Sequence, residues 1–173
     1  SQKTNQQNTG KYSLEASSSC QDCGEGHFSR FDGMSVCSDC ERGRFSDVSV
    51  TSECELCPRG TYQDHLQSTS CSNCTLGHAS HVMGRNSSCP TCSAGKHTTD
   101  ELGNAVSVAA VFCQNCSAGT RNTLSPPHSY HEVKSQKTNQ QNTGKYSLEA
   151  SSSCQDCGEG HFSRFDGMSV CSD

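Results

Sequence analysis

Between Cys57 and Cys74 the sequence reads CPRGTYQDHLQSTSCSNC. Three residues after its first cysteine stands Gly60, two further on stands Tyr62, and a polar stretch then leads to two cysteines with two residues between them. Outward from this stretch the same order returns. The cysteines pair as Cys20/Cys23, Cys37/Cys40, Cys54/Cys57, Cys71/Cys74, Cys89/Cys92, Cys113/Cys116 and Cys154/Cys157, and Cys171 opens an eighth pair. First cysteines of successive pairs lie 17, 17, 17, 18, 24, 41 and 17 residues apart, so a period near 17 governs the chain, with two enlarged units. Self-similarity at a short period is the mark of a repeat architecture.

The glycine keeps its offset from the second cysteine throughout, at Gly26, Gly43, Gly60, Gly77, Gly95, Gly119 and Gly160. A glycine at one offset implies a backbone position of positive φ, which a Cβ would penalise. The aromatic two residues later is Phe28, Phe45, Tyr62 or Phe162, replaced elsewhere by Ala79, His97 and Arg121. We expect it to lie against the neighbouring cross-link as a miniature core. No stretch between these anchors has a 3.6-residue apolar period, so the expected structure is short irregular strands and turns with little or no helix.

Composition agrees with a cross-linked chain. Of 173 residues 15 are cysteine, there is no Trp, and hydrophobic residues make up 30% with the cysteines included. Without them only about a fifth of the chain is apolar. Such a chain cannot offset its entropy with one sizeable core, and cross-links are the usual substitute. The net charge of −5 and the lack of any basic run argue against a nucleic-acid partner. The longest weakly apolar run, Ala105–Phe112, falls far short of the roughly 18–20 residues of a membrane span.

Paired cysteines admit three chemistries. Structural disulfides are the first. The second is zinc held by four thiolates of two C-x2-C pairs, which would make an intracellular metal protein. The even pitch marks no two pairs out as a site, and the odd cysteine count does not suit sets of four. The third is a catalytic dithiol, which needs a buried strand running into a helix before the pair. No such strand precedes any pair. His78 and His81 follow Cys74 too closely for a two-cysteine, two-histidine site, and they read as loop residues, as do His128 and His131. Asp22, Glu25, Asp32 and Asp39 read as solvated carboxylates. No catalytic set, metal set or cofactor motif stands out, so no enzyme, metal or cofactor is expected. Three N-x-[S/T] triplets, at Asn73, Asn86 and Asn115, are possible glycosylation sites compatible with a secreted glycoprotein. Cysteine in the middle position makes Asn73 and Asn115 the poorer acceptors.

The C-P-x-G-T-Y opening and its loop to C-x2-C resemble the ephrin-receptor-like cysteine-rich repeat and the first half of a tumour-necrosis-factor-receptor-type module. The resemblance covers nearly all of Cys20–Cys116 and Cys154–Cys171 and weakens after Gly77. It implies an extracellular rod with a disulfide between the second cysteine of each pair and the first of the next. The bonds would then be Cys23–Cys37, Cys40–Cys54, Cys57–Cys71, Cys74–Cys89, Cys92–Cys113, Cys116–Cys154 and Cys157–Cys171, with Cys20 left for a partner upstream of Ser1. An interleaved scheme, Cys20–Cys37 and Cys23–Cys40 onward, orphans Cys157 instead, and sequence does not choose between them.

Four segments follow from this reading: a 1–19 tail or linker, tandem repeats over 20–116, a polar insertion or degenerate unit at 117–153, and the start of a second copy at 154–173. Residues 1–39 and 135–173 are identical, text without structural demand such as KTNQQN included. That points to a recent tandem duplication with a 134-residue superunit, or to an artefact of assembly or cloning. The expected protein is an elongated, disulfide-laddered rod, secreted or displayed at the cell surface. Each unit is expected to touch only its neighbours. Its work would be spacing, adhesion or presentation of a protein or glycan ligand.

Overall fold

A computed structural model describes residues 8–118, 145–158 and 161–172. Among them there is no helix. The elements are twelve short strands: β1 Lys11–Tyr12, β2 Gln21–Asp22, β3 His27–Phe28, β4 Ser38–Asp39, β5 Arg44–Phe45, β6 Glu55–Leu56, β7 Thr61–Tyr62, β8 Ser72–Asn73, β9 Lys96–Thr99, β10 Phe112–Asn115, β11 Lys145–Tyr146 and β12 Gln155–Asp156. They pair consecutively into antiparallel hairpins, β1 with β2 through β11 with β12. Single bridges, His78 to Thr91 and Phe162 to Ser172, mark two further hairpins.

The repeat explains each hairpin. The residue after the glycine and the aromatic form the outgoing strand, and the two residues between paired cysteines form the returning one. Thr61 thus faces Asn73, and Tyr62 faces Ser72. The second cysteine then closes the unit on its own glycine, Cys74 N donating to the Gly60 carbonyl at 2.8 Å and Cys57 N to that of Gly43 at 2.9 Å. Two-residue strands cannot hold together alone in water. The hairpins therefore depend on cross-links and on contact with other units.

Hairpins join by two sets of backbone bonds. The glycine N–H donates to the carbonyl three residues beyond the next unit's glycine: Gly26 to Ser46 (2.9 Å), Gly43 to Gln63 (2.7 Å) and Gly60 to Ser80 (2.7 Å). The second set skips a unit. Gln67 N donates to Cys40 O (2.9 Å), Gly84 N to Cys57 O (2.7 Å), Ala109 N to Cys74 O (2.9 Å), Ala150 N to Cys92 O (3.0 Å) and Gly167 N to Cys116 O (2.7 Å). Contact is thus not confined to adjacent units, as the period alone suggests. Every hairpin from β3–β4 to β9–β10 is also clasped by its second successor. The missing Cβ is the reason: a methyl on Gly60 would collide with the Ala109 carbonyl, and one on Gly43 with that of Gly84.

The buried residues are cystine and serine more than aromatic. Cys40, Cys57, Cys74, Cys92 and Cys116 are fully buried, and Ser29, Ser46, Ser80, Thr98, Ser147 and Ser163 are buried with them. These hydroxyl residues all stand three places after the glycine. Burial is tolerated because each hydroxyl is satisfied, as where Ser46 Oγ donates to Val48 O at 2.9 Å and Ser163 Oγ to Phe165 O at 2.9 Å. Phe28, Phe45, Tyr62 and Phe162 stay half-exposed at the sides. Arg30 and Arg164 lie over the faces of Phe28 and Phe162. The apolar cluster among the described residues is small and sits where the enlarged unit meets the preceding hairpin: Ala79, Cys92 and Ala110, with Val106 and Cys113 packed against them.

Candidate functional site

Seven disulfides run the length of the described chain. They are Cys23–Cys37, Cys40–Cys54, Cys57–Cys71, Cys74–Cys89, Cys92–Cys113, Cys116–Cys154 and Cys157–Cys171, with Cα separations of 5.5–5.8 Å. Cys20 is free and exposed. Of the two connectivities open to the sequence, the structure contains the one between consecutive pairs. Each bond spans one hairpin from outside, joining the residue before its opening turn to the residue before its returning strand. Closing a loop of about 15 residues limits the unfolded chain by about 3 kcal/mol per bond in the chain-entropy account.

Gly26, Gly43, Gly60, Gly77 and Gly95 all have left-handed backbones, with φ between 72° and 83°. Gly119 and Gly160 lie outside the described residues. A second left-handed column, absent from the sequence reading, runs through the loops. Its members are Ala16 (φ 62°), Gln67 (57°), Ala109 (53°) and Ala150 (59°), with Gly33, Gly84 and Gly167 in the corresponding loops. Of these, Gln67, Gly84, Ala109, Ala150 and Gly167 clasp the preceding units, and an L side chain at such a backbone costs about 1–2 kcal/mol of strain. Nothing in their identity advertises that role.

The remaining candidates separate. His78 holds Leu76 O at 2.8 Å through Nδ1 and Thr91 Oγ1 at 3.1 Å through Nε2, so it secures its own hairpin. His81 stacks on Phe112 with ring centroids 6.3 Å apart. His128 and His131 lie outside the described residues. Asp22 pairs with Lys11 at 2.5 Å and Asp39 with His27 at 2.9 Å, both near the surface, while Glu25 and Asp32 are exposed. The Asp100 carboxyl is held below its ordinary pKa by the Asn104 side-chain amide and by turn amides, which fixes the tip of the enlarged loop. Asn86 is exposed in a loop. Asn73 and Asn115 are exposed too, but each ends a strand directly before a buried cysteine.

One arrangement escaped the sequence reading. His97, at the place of the repeat's aromatic, brings Nδ1 to 3.1 Å from Cys154 Sγ across 57 residues of chain. With Cys116 these are the group of three metal-competent side chains found among the described residues, their donor atoms all within 4.8 Å of one another.

A family model described as tyrosine-protein kinase ephrin type A/B receptor-like matches residues 43–84. This segment is an ephrin-receptor-like cysteine-rich repeat. It covers the β5–β6 and β7–β8 hairpins and the start of the next, and it begins and ends on Gly43 and Gly84, the pair brought together by the next-but-one contact. The same hydrogen bonds and disulfide spacing continue on both sides of the matched residues. No curated protein matches the chain. No helix among the described residues is long and apolar enough to cross a membrane.

Proposed function

We propose that the chain is a non-enzymatic, extracellular spacer and ligand-presenting rod of a secreted or cell-surface protein. One observation carries the reading: each hairpin from β3–β4 to β9–β10 is held by its own disulfide and by backbone bonds to two successors, so the loops project from a stiff frame. Persistent disulfides of this density belong to oxidising compartments, and the ephrin-receptor-like segment agrees with such a location. The loops carry exposed apolar side chains, Phe31 (64%), Val48 (51%), Leu66 (54%), Val82 (47%) and Phe165 (65%). Apolar groups left at loop tips of a rigid scaffold are suited to meeting a protein or glycan ligand.

The test is to express the chain through a secretory pathway and in the cytosol. The proposal expects the secreted form to be monomeric, extended in small-angle scattering, metal-free and with a single reactive thiol at Cys20. It expects the cytosolic form to be unfolded. A folded cytosolic form holding stoichiometric zinc on four thiolates would replace the extracellular reading with that of an intracellular zinc protein. Phe31→Ser, Val48→Ser and Leu66→Ser should weaken binding of the secreted chain to whichever cells or glycan-array spots retain it, without changing the disulfide map.

A further inference from the structure

The Cys116–Cys154 disulfide differs from the regular bonds in two ways. It closes the largest loop, with a sequence separation of 38 against 14 in the regular units. It also has His97 beside it, where Phe28, Phe45 and Tyr62 stand in other units. The donor atoms are held by bonds that do not pass through the two sulfurs. Gly95 N donates to Ser147 O at 2.7 Å, Thr98 N to Ser151 O at 3.2 Å, Cys116 N to Gly95 O at 2.9 Å and Ala150 N to Cys92 O at 3.0 Å. Ser147 Oγ adds a bond to Lys96 O at 2.7 Å. The strand carrying His97 therefore stays against the segment carrying Cys154 when the disulfide opens.

We propose that this disulfide is a thiol-gated metal site: reduced, Cys116, Cys154 and His97 bind a zinc-type divalent cation through two thiolates and an imidazole. Cys116 is fully buried while Cys154 is half-exposed, so Cys154 is the one of the two more open to attack by a dithiol reductant. Its thiolate forms a mixed disulfide there and expels Cys116 as thiolate. Its second thiol then attacks the mixed disulfide, releasing Cys154 and leaving as its own cyclic disulfide. Two electrons pass to the protein, and the cation displaces the two thiol protons. In a tetrahedral site two thiolates sit roughly 3.7 Å apart, a separation that side-chain rotation supplies. The fourth position is left to water or an exogenous ligand. This set differs from paired C-x2-C thiolates, because its cysteines come from two different pairs.

The experiment reduces the full chain with graded dithiol, adds Zn2+ and maps protected thiols by alkylation and mass spectrometry, with Co2+ as a spectroscopic substitute. The expected result is that Cys116 and Cys154 open before the other bonds and are protected by zinc, and that Co2+ shows charge transfer from two thiolates. His97→Phe, which restores the aromatic of the regular units, and His97→Asn should each weaken metal binding by at least about 100-fold, more than loss of an outer partner costs. Both should keep the oxidised disulfide map. Equal zinc affinity in these variants, preferential protection of a pair such as Cys113/Cys116, or opening of this disulfide only after the rest would each overturn the proposal.

Discussion

The regular hairpins β3–β8 and the enlarged unit β9–β10 solve one problem differently. In the regular units the strands are two residues long, and no apolar side chain beyond cystine is buried. Their stability rests on a cross-link, a hydroxyl satisfied by a carbonyl, and backbone bonds to two successors. The enlarged unit has strands of four residues, buried Thr98 and Thr99, and an Ala110 that packs on Ala79 and Cys92 of the hairpin before it. It also replaces the aromatic with His97 and aims it at a disulfide. Regularity thus belongs to the part that spaces, and departures from it gather where the chain acquires a small core and a site.

The largest effect expected is from removing a cross-link in the regular part. Cys57→Ser with Cys71→Ser should cost about 3 kcal/mol and open residues 58–70 to limited proteolysis, while 92–116 stay protected. Next is the clasp. Gly60→Ala meets both a left-handed backbone and the Ala109 carbonyl, whereas Gly33→Ala, at φ 76°, has nothing within 4 Å of the added methyl. Gly33→Ala should cost about 1–2 kcal/mol. Gly60→Ala should cost more by denaturant unfolding, and equal costs would remove the clasp from the account. Ser46→Ala, which leaves the Val48 carbonyl without its donor, should cost about 1 kcal/mol. Smallest is a gain: Gln67→Gly relieves strain at φ 57° and should raise stability by up to about 1 kcal/mol after the entropy of the freer unfolded chain is subtracted.

Much of the ladder was legible in the text. The period, the absence of apolar 3.6-residue spacing and the cysteine pairs imply short strands cross-linked along a rod, and the hairpins follow those marks residue by residue. The serine three places after most of the repeat glycines was visible as well, yet serine is ordinarily a surface residue and its burial depends on a carbonyl that only the folded turn presents. The next-but-one clasp was not legible, because a period shows where a unit starts and not how units wind. Its left-handed loop residues include Gln67, Ala109 and Ala150, which carry no glycine signature. His97 and Cys154, 57 residues apart, meet only because the enlarged unit lies against the hairpin of β11 and β12.

The central claim is that each hairpin from β3–β4 to β9–β10 is held by its second successor as well as by its own disulfide. Native-state amide exchange on the oxidised chain tests it directly. The amides of Gln67, Gly84, Ala109, Ala150 and Gly167 should be protected to the same degree as those of Cys57 and Cys74, which close their own hairpins. Exchange at the rate of free loop amides, with Cys57 and Cys74 still protected, would reduce the molecule to a string of units that meet only their neighbours.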